Sequence, residues 1–409
     1  MATEADTLAY LRSTAAIRDR CGQLFDLACA DQLSHFRCDL TRLNATADYV
    51  IQVIEANYPD WAVPFHSRWR HFESGDRDRL AHLRQQVGTI DPLEWARIQF
   101  DLAITSVLLD AGAGASWQFS EPGTDEVYQR SEGLAIASFY AFTAGTMSSD
   151  AQQPLQADAQ GLQQFTPDRL AAAFQVSDRN PLVGLEGRAG LLQTLGRSLH
   201  RYPHLFGQEH PRLGNLVDAL LPQVLDQRLP ATAVFDVVLE GLSDIWPGRE
   251  AIAQVNLGDV WPHSRLPDGE LGSQLVPFHK LSQWLTYSLL EPLQSLGITI
   301  TDLDALTGLA EYRNGGLCID LGLLQPKHAG VMSDRHRPGS EVIVEWRALT
   351  VVLLDQIAAT IRQNRQQDAT QLPLVKILEG GTWAAGRRIA ADLRDGSPPL
   401  QIQSDGTVF

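Results

Sequence analysis

The stretch IDPLEWARIQFDLAITSVLLDAGAG, from Ile90 to Gly114, reads as one helix with both of its ends marked. Asp91 is placed to cap the first turn, Pro92 takes the first helical position, where a missing N–H costs nothing, and Glu94 adds an early acid. Gly112 and Gly114 supply the stop. Upstream, between Leu11 and Asn57, Ile17, Cys21, Leu24, Phe25 and Leu27, then Tyr49, Val50, Val53 and Ile54, recur at helical spacing and predict two helices. Downstream, Thr166 caps PDRLAAAF, and helical runs follow over Leu182–Tyr202, Leu213–Leu225 and Thr232–Ile245. The fold class is therefore mainly α, with few short strands.

Two polar stretches punctuate this pattern. SSDAQQPLQADAQGLQQ (Ser148 to Gln164) is poor in large apolar side chains and reads as a connection, residues 148–164, between an N-terminal helical subdomain (1–147) and a second helical domain (165–409). RQNRQQDATQ precedes an end, LQIQSDGTVF, that alternates around Asp405-Gly406 as a terminal hairpin would.

The 33 Lys and Arg against 49 Asp and Glu give a formal charge of −16. Most of such a surface repels phosphate polymers and anionic membranes, so neither a nucleic-acid polymer nor a membrane is expected as a partner. A small anion stays accessible to a local Arg or Lys cluster. Four cysteines without a CxxC pair are too few to staple a chain of this length and suggest a reducing compartment. The start, MATEADTLAYLRS, has neither a basic end nor an apolar run, and no stretch approaches the ~20 apolar residues of a membrane span, so the expected location is cytoplasmic. GxGxxG after a strand, GxxxxGK[ST], HExxH and GxSxG are all missing, and the 11 histidines lack ligand spacing. Neither a metal nor a cofactor is expected.

Four segments concentrate side chains that can do chemistry. In PFHSRWRHF, His66, Arg68, Arg70 and His71 interleave with Phe65, Trp69 and Phe72; read as a loop or short strand, alternation puts His66, Arg68 and Arg70 on one cationic face. That face is either an anion cradle or a set of ion pairs with Asp60, Glu73 or Asp76 around a core Trp69. The segment from Phe235 to His263 repeats acid, apolar residue, tryptophan and proline, as Asp244 with Trp246 and Asp259 with Trp261. A residue before proline is held out of helix, so both indoles serve either a ring-gripping pocket or loop anchorage.

In LVPFHKLSQWLTYSLLEPL, a helix puts Leu275, Phe278, Leu281, Ser282, Leu285 and Leu289 on a core stripe. Lys280, Gln283, Trp284, Tyr287 and Glu291 then lie on the other face, with His279 and Gln283 four apart. Lys280 is either a phosphate or sugar ligand or a lysine snorkelling to the surface. In ITDLDALTGLAEYRNGGLCIDLGLL, a helix beginning near Thr301-Asp302 buries Leu303, Leu306, Leu309 and Ala310, and brings Glu311 and Arg313 to an Asn314-Gly315-Gly316 stop. Glu311 is either a partly desolvated catalytic carboxylate or one half of an intrahelical pair.

These segments, with LRSTAAIRDRC, ANYPDWAVPFHSRWRHF, RSEGLAIASF and FDVVLEGLSDIWPGR, resemble the uracil-catabolism proteins of fungi and bacteria over nearly the whole chain. The resemblance implies a place in a non-reductive route in which the pyrimidine is handled as a ribosyl derivative and ribosylurea arises. A fainter similarity links FHKLSQ and LTGLAEYR to the F-Y-K-R-A-Q and L-T-x-F-A-D-Y-R stretches of the queuosine-nucleotide N-glycosylase family. It implies a helical glycosylase-like architecture and a carboxylate that helps cleave a ribose C1′–N bond, with Lys280 matching the motif lysine, Gln283 the glutamine, Glu311 the aspartate and Arg313 the arginine. This sequence departs from that pattern by glutamate for aspartate, by Leu281 for an arginine, and by Asn-Gly-Gly after Arg313.

The expected activity is hydrolysis of an N-ribosidic bond in a nucleoside-like or ribosylurea-like molecule, without a cofactor. Glu311 and Lys280 are the catalytic candidates; His279, Gln283, Arg313, Asp244, Trp246, Asp259, Trp261, Arg68, Arg70 and His71 are the substrate-binding candidates. The alternatives are a non-catalytic binding or scaffold protein, which needs a large exposed apolar patch, and a metal-dependent amidohydrolase.

Overall fold

The helix expected from Asp91 onward runs Pro92–Leu108, and the Asp91 carboxylate accepts from the N–H groups of Leu93 (2.8 Å) and Glu94 (3.3 Å). It belongs to a computed structural model that describes residues 3–114, 116–246 and 250–403. Helix dominates, and the strands among the described residues pair only as two-stranded ribbons of two or three residues a strand. The chain is mainly α, as its periodicity predicts.

The described residues form two compact units, one from residues 3–66, 250–283 and 302–403, the other from 67–246 and 284–301. In the first, helices Thr14–Cys29 and Leu43–Asn57 pack on the long helix Glu341–Arg365. Ser13 caps the first of them, and Ile17, Cys21, Leu24, Phe25 and Ala28 form its buried stripe. Arg18, on that helix, reaches Asp355 on the long helix (2.8 Å) and the carbonyls of Ala305 and Leu306 (2.9 and 2.7 Å). One guanidinium thus fixes the loop that leads to Glu311.

In the second unit, Pro92–Leu108 is the central helix: Ile98 and every residue from Phe100 to Leu108 are buried, so no solvent face remains along this length. Asp101, in its middle, accepts from Arg212 Nε (2.5 Å) and the Gly214 N–H (2.7 Å). A Cβ on Gly214 would lie 2.5 Å from the carbonyl oxygen of Arg97, so the backbones approach as only glycine permits. Past the helix end, Arg188 donates to the carbonyls of Leu109, Ala111 and Gly112. Helices Arg130–Thr143, Leu185–Ser198 and Ala231–Gly241 are the other long helices within residues 67–246, and Thr166 caps Pro167–Ala173 as expected.

Three readings are corrected. Residues Arg68–Phe72 form a helical turn after Ser67, so the period-two faces of PFHSRWRHF do not exist. Helix Lys280–Ser295 starts five residues later than the leucine pattern suggests, because Leu275–Pro277 is a strand paired antiparallel to Val260–Pro262 and His279 takes a left-handed backbone (φ 45°). Most of the polar face expected of that helix is buried: Gln283, Trp284 and Tyr287 are as buried as Leu285 and Leu289, and only Lys280 and Glu291 are half-buried. Finally, the turn Leu303–Ala305 is followed by a loop, and the helix Tyr312–Asp320 begins after Glu311 and runs through Asn314-Gly315-Gly316 rather than ending there. Glycine suits its interior because a Cβ on Gly315 would stand 2.5 Å from the Trp346 indole, whose Nε1 donates to the Gly315 carbonyl (3.0 Å). Gln401–Ile402 pairs parallel to Arg335–His336; the expected hairpin at Asp405-Gly406 lies outside the described residues.

Candidate functional site

In the first unit, Asp259 and Arg347 form a bidentate pair, both N···O distances 2.7 Å, with Arg347 fully buried. The same carboxylate accepts from Trp261 Nε1 (2.8 Å) and from the Lys280 N–H (3.0 Å), the first N–H of helix Lys280–Ser295. Arg347 lies 4.0 Å over the Phe278 ring and donates through Nε to the carbonyl of Ala310 (3.3 Å), the residue before Glu311. A single buried ion pair therefore holds both the backbone of Lys280 and the approach to Glu311. Burial is the largest single influence and pushes the Asp259 carboxyl up, but the Arg347 charge and the hydrogen bonds from Arg347, Trp261 and the Lys280 N–H together outweigh it and hold the group well below the usual aspartate range.

Gln283 adds a second tie. Its Oε1 accepts from the Thr307 N–H (2.7 Å), and its Nε2 donates to Thr307 Oγ1 (2.8 Å) and to the carbonyl of Phe278 (3.1 Å). His279 is locked by a 2.8 Å contact of Nε2 with the Leu11 carbonyl, and burial pushes its pKa down. Trp261 packs across Gly339, where a Cβ would fall 2.3 Å from its Cε3.

Glu311 is the N-cap of Tyr312–Asp320: its carboxylate accepts from the Arg313 N–H (2.9 Å) and the Asn314 N–H (2.6 Å), and it is 7% exposed. Each carboxylate oxygen keeps a second lone pair. The Arg313 guanidinium stacks 4.4 Å from the Trp383 ring centre, and Arg387 also lies over that ring at 5.7 Å. Trp383 ends a π-helical turn, Ile377–Trp383, of the wide kind that often marks functional sites. Cβ atoms on Gly380 and Gly381 would meet Val63 and Val50 at 2.9 and 2.8 Å, so the turn lies directly on helix Leu43–Asn57 and the segment after it. Glu379, one turn before Trp383, meets His66 Nδ1 at 2.6 Å, and the His66 ring lies 5.6 Å from that of Trp383.

The sequence reading missed Arg347, Glu379 and Trp383. The signal for Arg347 was a Glu345 and an Arg347 within the apolar run EVIVEWRALTVVLL, where charges persist only when paired. Glu379 and Trp383 gave none, since a π turn has no local signature in composition.

The remaining candidates lie in the second unit. Arg68 is fully buried, pairs with Asp110 (2.7 Å) and donates to Ser106 Oγ (2.7 Å); burial pushes its pKa down. Arg70 pairs with Glu291 (2.8 Å) and Glu73 (3.1 Å), and Glu291 also accepts from Ser67 Oγ. The His71 ring lies 5.8 Å from that of Trp284. Asp244 pairs with the exposed Arg201 (3.1 Å), and Trp246 is buried. Among the described residues, no group of three or more His, Cys, Asp or Glu is placed to hold a metal ion, and no helix is long and apolar enough to cross a membrane.

A mainly helical chain with a buried carboxylate, arginine and tryptophan cluster is thus defined. Residues 10–409 match the family model described as "Protein of unknown function (DUF1688)", and the chain belongs to that family. It is 39% identical to "Protein urg3" of Schizosaccharomyces pombe and 37% identical to "Uracil catabolism protein 4" of Lachancea kluyveri, each over the full length of both chains. The kinship with uracil-catabolism proteins read from the sequence is borne out.

Proposed function

We propose that this protein acts in uracil catabolism as a hydrolase of an N-ribosidic bond, with ribosylurea or a related nucleoside or nucleotide as substrate. The observation that carries the reading is the placement of Glu311, a carboxylate fixed by two N–H donors beside the Arg313 and Trp383 stack and tied through Arg347 and Asp259 to Lys280. Breaking a C1′–N bond builds positive charge on the sugar. A carboxylate fixed beneath C1′ stabilises that charge and takes a proton from the attacking water. Lys280 and Arg313 bind ribose hydroxyls or a 5′-phosphate, and Trp383 presents an apolar plane to the sugar or the base. The relative named for uracil catabolism supports the pathway; for the bond, the support is the motif resemblance of FHKLSQ and LTGLAEYR alone.

The test is incubation with uridine, UMP, ribosylurea and ribosylurea phosphate, following urea, uracil and reducing sugar. Glu311→Gln keeps a carbonyl oxygen for one of the two cap hydrogen bonds, so it is expected to fold with a modest loss of stability read by thermal melt, while hydrolysis falls by at least a hundredfold. A wild-type protein that releases nothing from any of the four, or a Glu311→Gln variant as fast as wild type, rejects the reading.

A further inference from the structure

Within the first unit, two histidines from distant segments meet. His35 precedes strand Phe36–Cys38, and His328 follows strand Leu324–Pro326, which pairs antiparallel to it. His35 Nδ1 and His328 Nε2 are 2.9 Å apart, and the ring centres are 5.2 Å apart. The larger distance exceeds the smaller by only one centre-to-nitrogen radius at each end, so the two nitrogens face each other head-on across one proton. A metal ion does not fit in that gap, since bonds of about 2.0–2.1 Å on each side need a wider one. We infer that this pair is an acid-opened latch: it closes the end of the ribbon while the facing nitrogens share one proton, and releases it when each carries its own. The inference is independent of the N-ribosidic reading.

The chemistry of the pair sets its response. With no added proton, one imidazole donates and the other accepts. A first added proton makes the donor an imidazolium, and the hydrogen bond becomes charge-assisted. A second puts an N–H on both facing nitrogens, and two like charges at hydrogen-bond distance push the rings apart. His328 is exposed and His35 half-buried, so protons reach the pair from solvent.

The latch guards a cradle of N–H groups. Glu345, fully buried in helix Glu341–Arg365, accepts from the N–H groups of Ser34 (3.1 Å), His35 (3.0 Å) and Phe36 (3.1 Å), and the Lys327 N–H donates to the His35 carbonyl (2.9 Å). The other charged groups around the pair are already engaged. Glu341 accepts from the Ser264 N–H (3.0 Å), His263 Nε2 lies 3.5 Å from Glu345 Oε1, and Lys327 pairs with Asp31 (2.8 Å). Arg37 donates to Gln325 (2.9 Å), and a Cβ on Gly330 would meet Asp334 Oδ2 at 2.9 Å and His328 Nδ1 at 3.3 Å. Burial first, then His328 and His263, pushes the His35 pKa below its ordinary 6.5, against the pull of Glu345 and Glu341. A base depressed in the folded state contributes stability above its unfolded value and loses it as the pH falls through that value toward the folded one.

The experiment is hydrogen exchange of the Ser34, His35, Phe36 and Lys327 amides at about pH 7.5 and about pH 5, corrected for intrinsic rates, in wild type, His328→Gln and His328→Ala. Wild type is expected to lose about tenfold in protection at the lower pH. His328→Gln, whose amide bonds to His35 but takes no charge, keeps its protection at both values, and His328→Ala, without a latch, is poorly protected at both. Equal wild-type protection at the two values overturns the inference. Equal acid loss in wild type and His328→Gln also overturns it, since the trigger then lies elsewhere, as does full protection in His328→Ala. Proton NMR gives a second reading: the two rings titrate in two separated steps, as a coupled pair does, and a single step with both near the free value overturns the latch. Position 328 is exposed, so both substitutions leave the core untouched.

Discussion

Replacing Arg347 with methionine lowers the folding stability by about 3–5 kcal/mol, read as a drop in the urea midpoint at constant m-value. Typical domains hold only 5–15 kcal/mol in all. Methionine fills much of the volume over Phe278, so the loss is electrostatic: Asp259, 13% exposed, keeps its hydrogen bonds from Trp261 and Lys280 but loses its cation. Adding Asp259→Asn to Arg347→Met recovers part of the stability, because an amide needs no counter-charge. A single-variant loss below 1 kcal/mol, or no recovery in the double variant, contradicts this account. The pH dependence has a definite sign. The Asp259 carboxyl titrates below its unfolded value of 3.8, so the pair's contribution is complete above that value and is lost as the pH falls below it toward the folded value. Arg347→Met removes this part of the acid slope and turns it the other way, because without the guanidinium burial pushes the Asp259 carboxyl up and its penalty is relieved as the pH falls.

The second large effect comes from one methyl group. Gly386, in helix Ala384–Arg394, sits where a Cβ would lie 2.3 Å from the carbonyl oxygen of Arg313 and 2.8 Å from its carbon. Backbone cannot swing aside as a side chain can, so Gly386→Ala forces the helices Ala384–Arg394 and Tyr312–Asp320 apart. The cost is about 2–3 kcal/mol, at the upper end for overpacking, and it outweighs the ~1 kcal/mol that alanine gains over glycine within a helix. Because Arg313 belongs to the displaced helix and Trp383 precedes the other, the stack between them opens, and the proposed hydrolysis falls with stability. Gly22 provides the contrast. It lies inside helix Thr14–Cys29 with nothing within 4 Å of a built Cβ, so Gly22→Ala raises stability by about 0.5–1 kcal/mol. Equal midpoint shifts for the two alanines would refute the steric argument.

The helical class and several of its boundaries were legible locally, since caps act within one turn: Asp91 and Thr166 do what their positions announce. Elements whose boundaries depend on distant partners were not. Asn314-Gly315-Gly316 carries every mark of a helix end, yet it lies inside a helix because Trp346, from a remote segment, takes the space a Cβ would use. Leu275 belongs to a strand rather than to a helical leucine stripe because Leu275–Pro277 has Val260–Pro262 to pair with. For the candidate site, single residues such as Glu311, Lys280 and His66 stood out by type, whereas the groups that orient them, Arg347, Glu379 and Trp383, are joined to them only by folding.

The packing of helix Thr14–Cys29 on helix Glu341–Arg365 sets a timetable for synthesis. The roughly 300 residues between them take about 15–60 s to translate at 5–20 residues per second. For that interval the emerging chain carries the apolar stripe of Ile17, Leu24 and Phe25 without the surface that covers it. Helix Pro92–Leu108 and its neighbours in residues 67–246 can close around each other earlier. The nascent protein thus passes through a long stage in which its first segment must be shielded by chaperones, and slowing the ribosome raises its exposure to proteases.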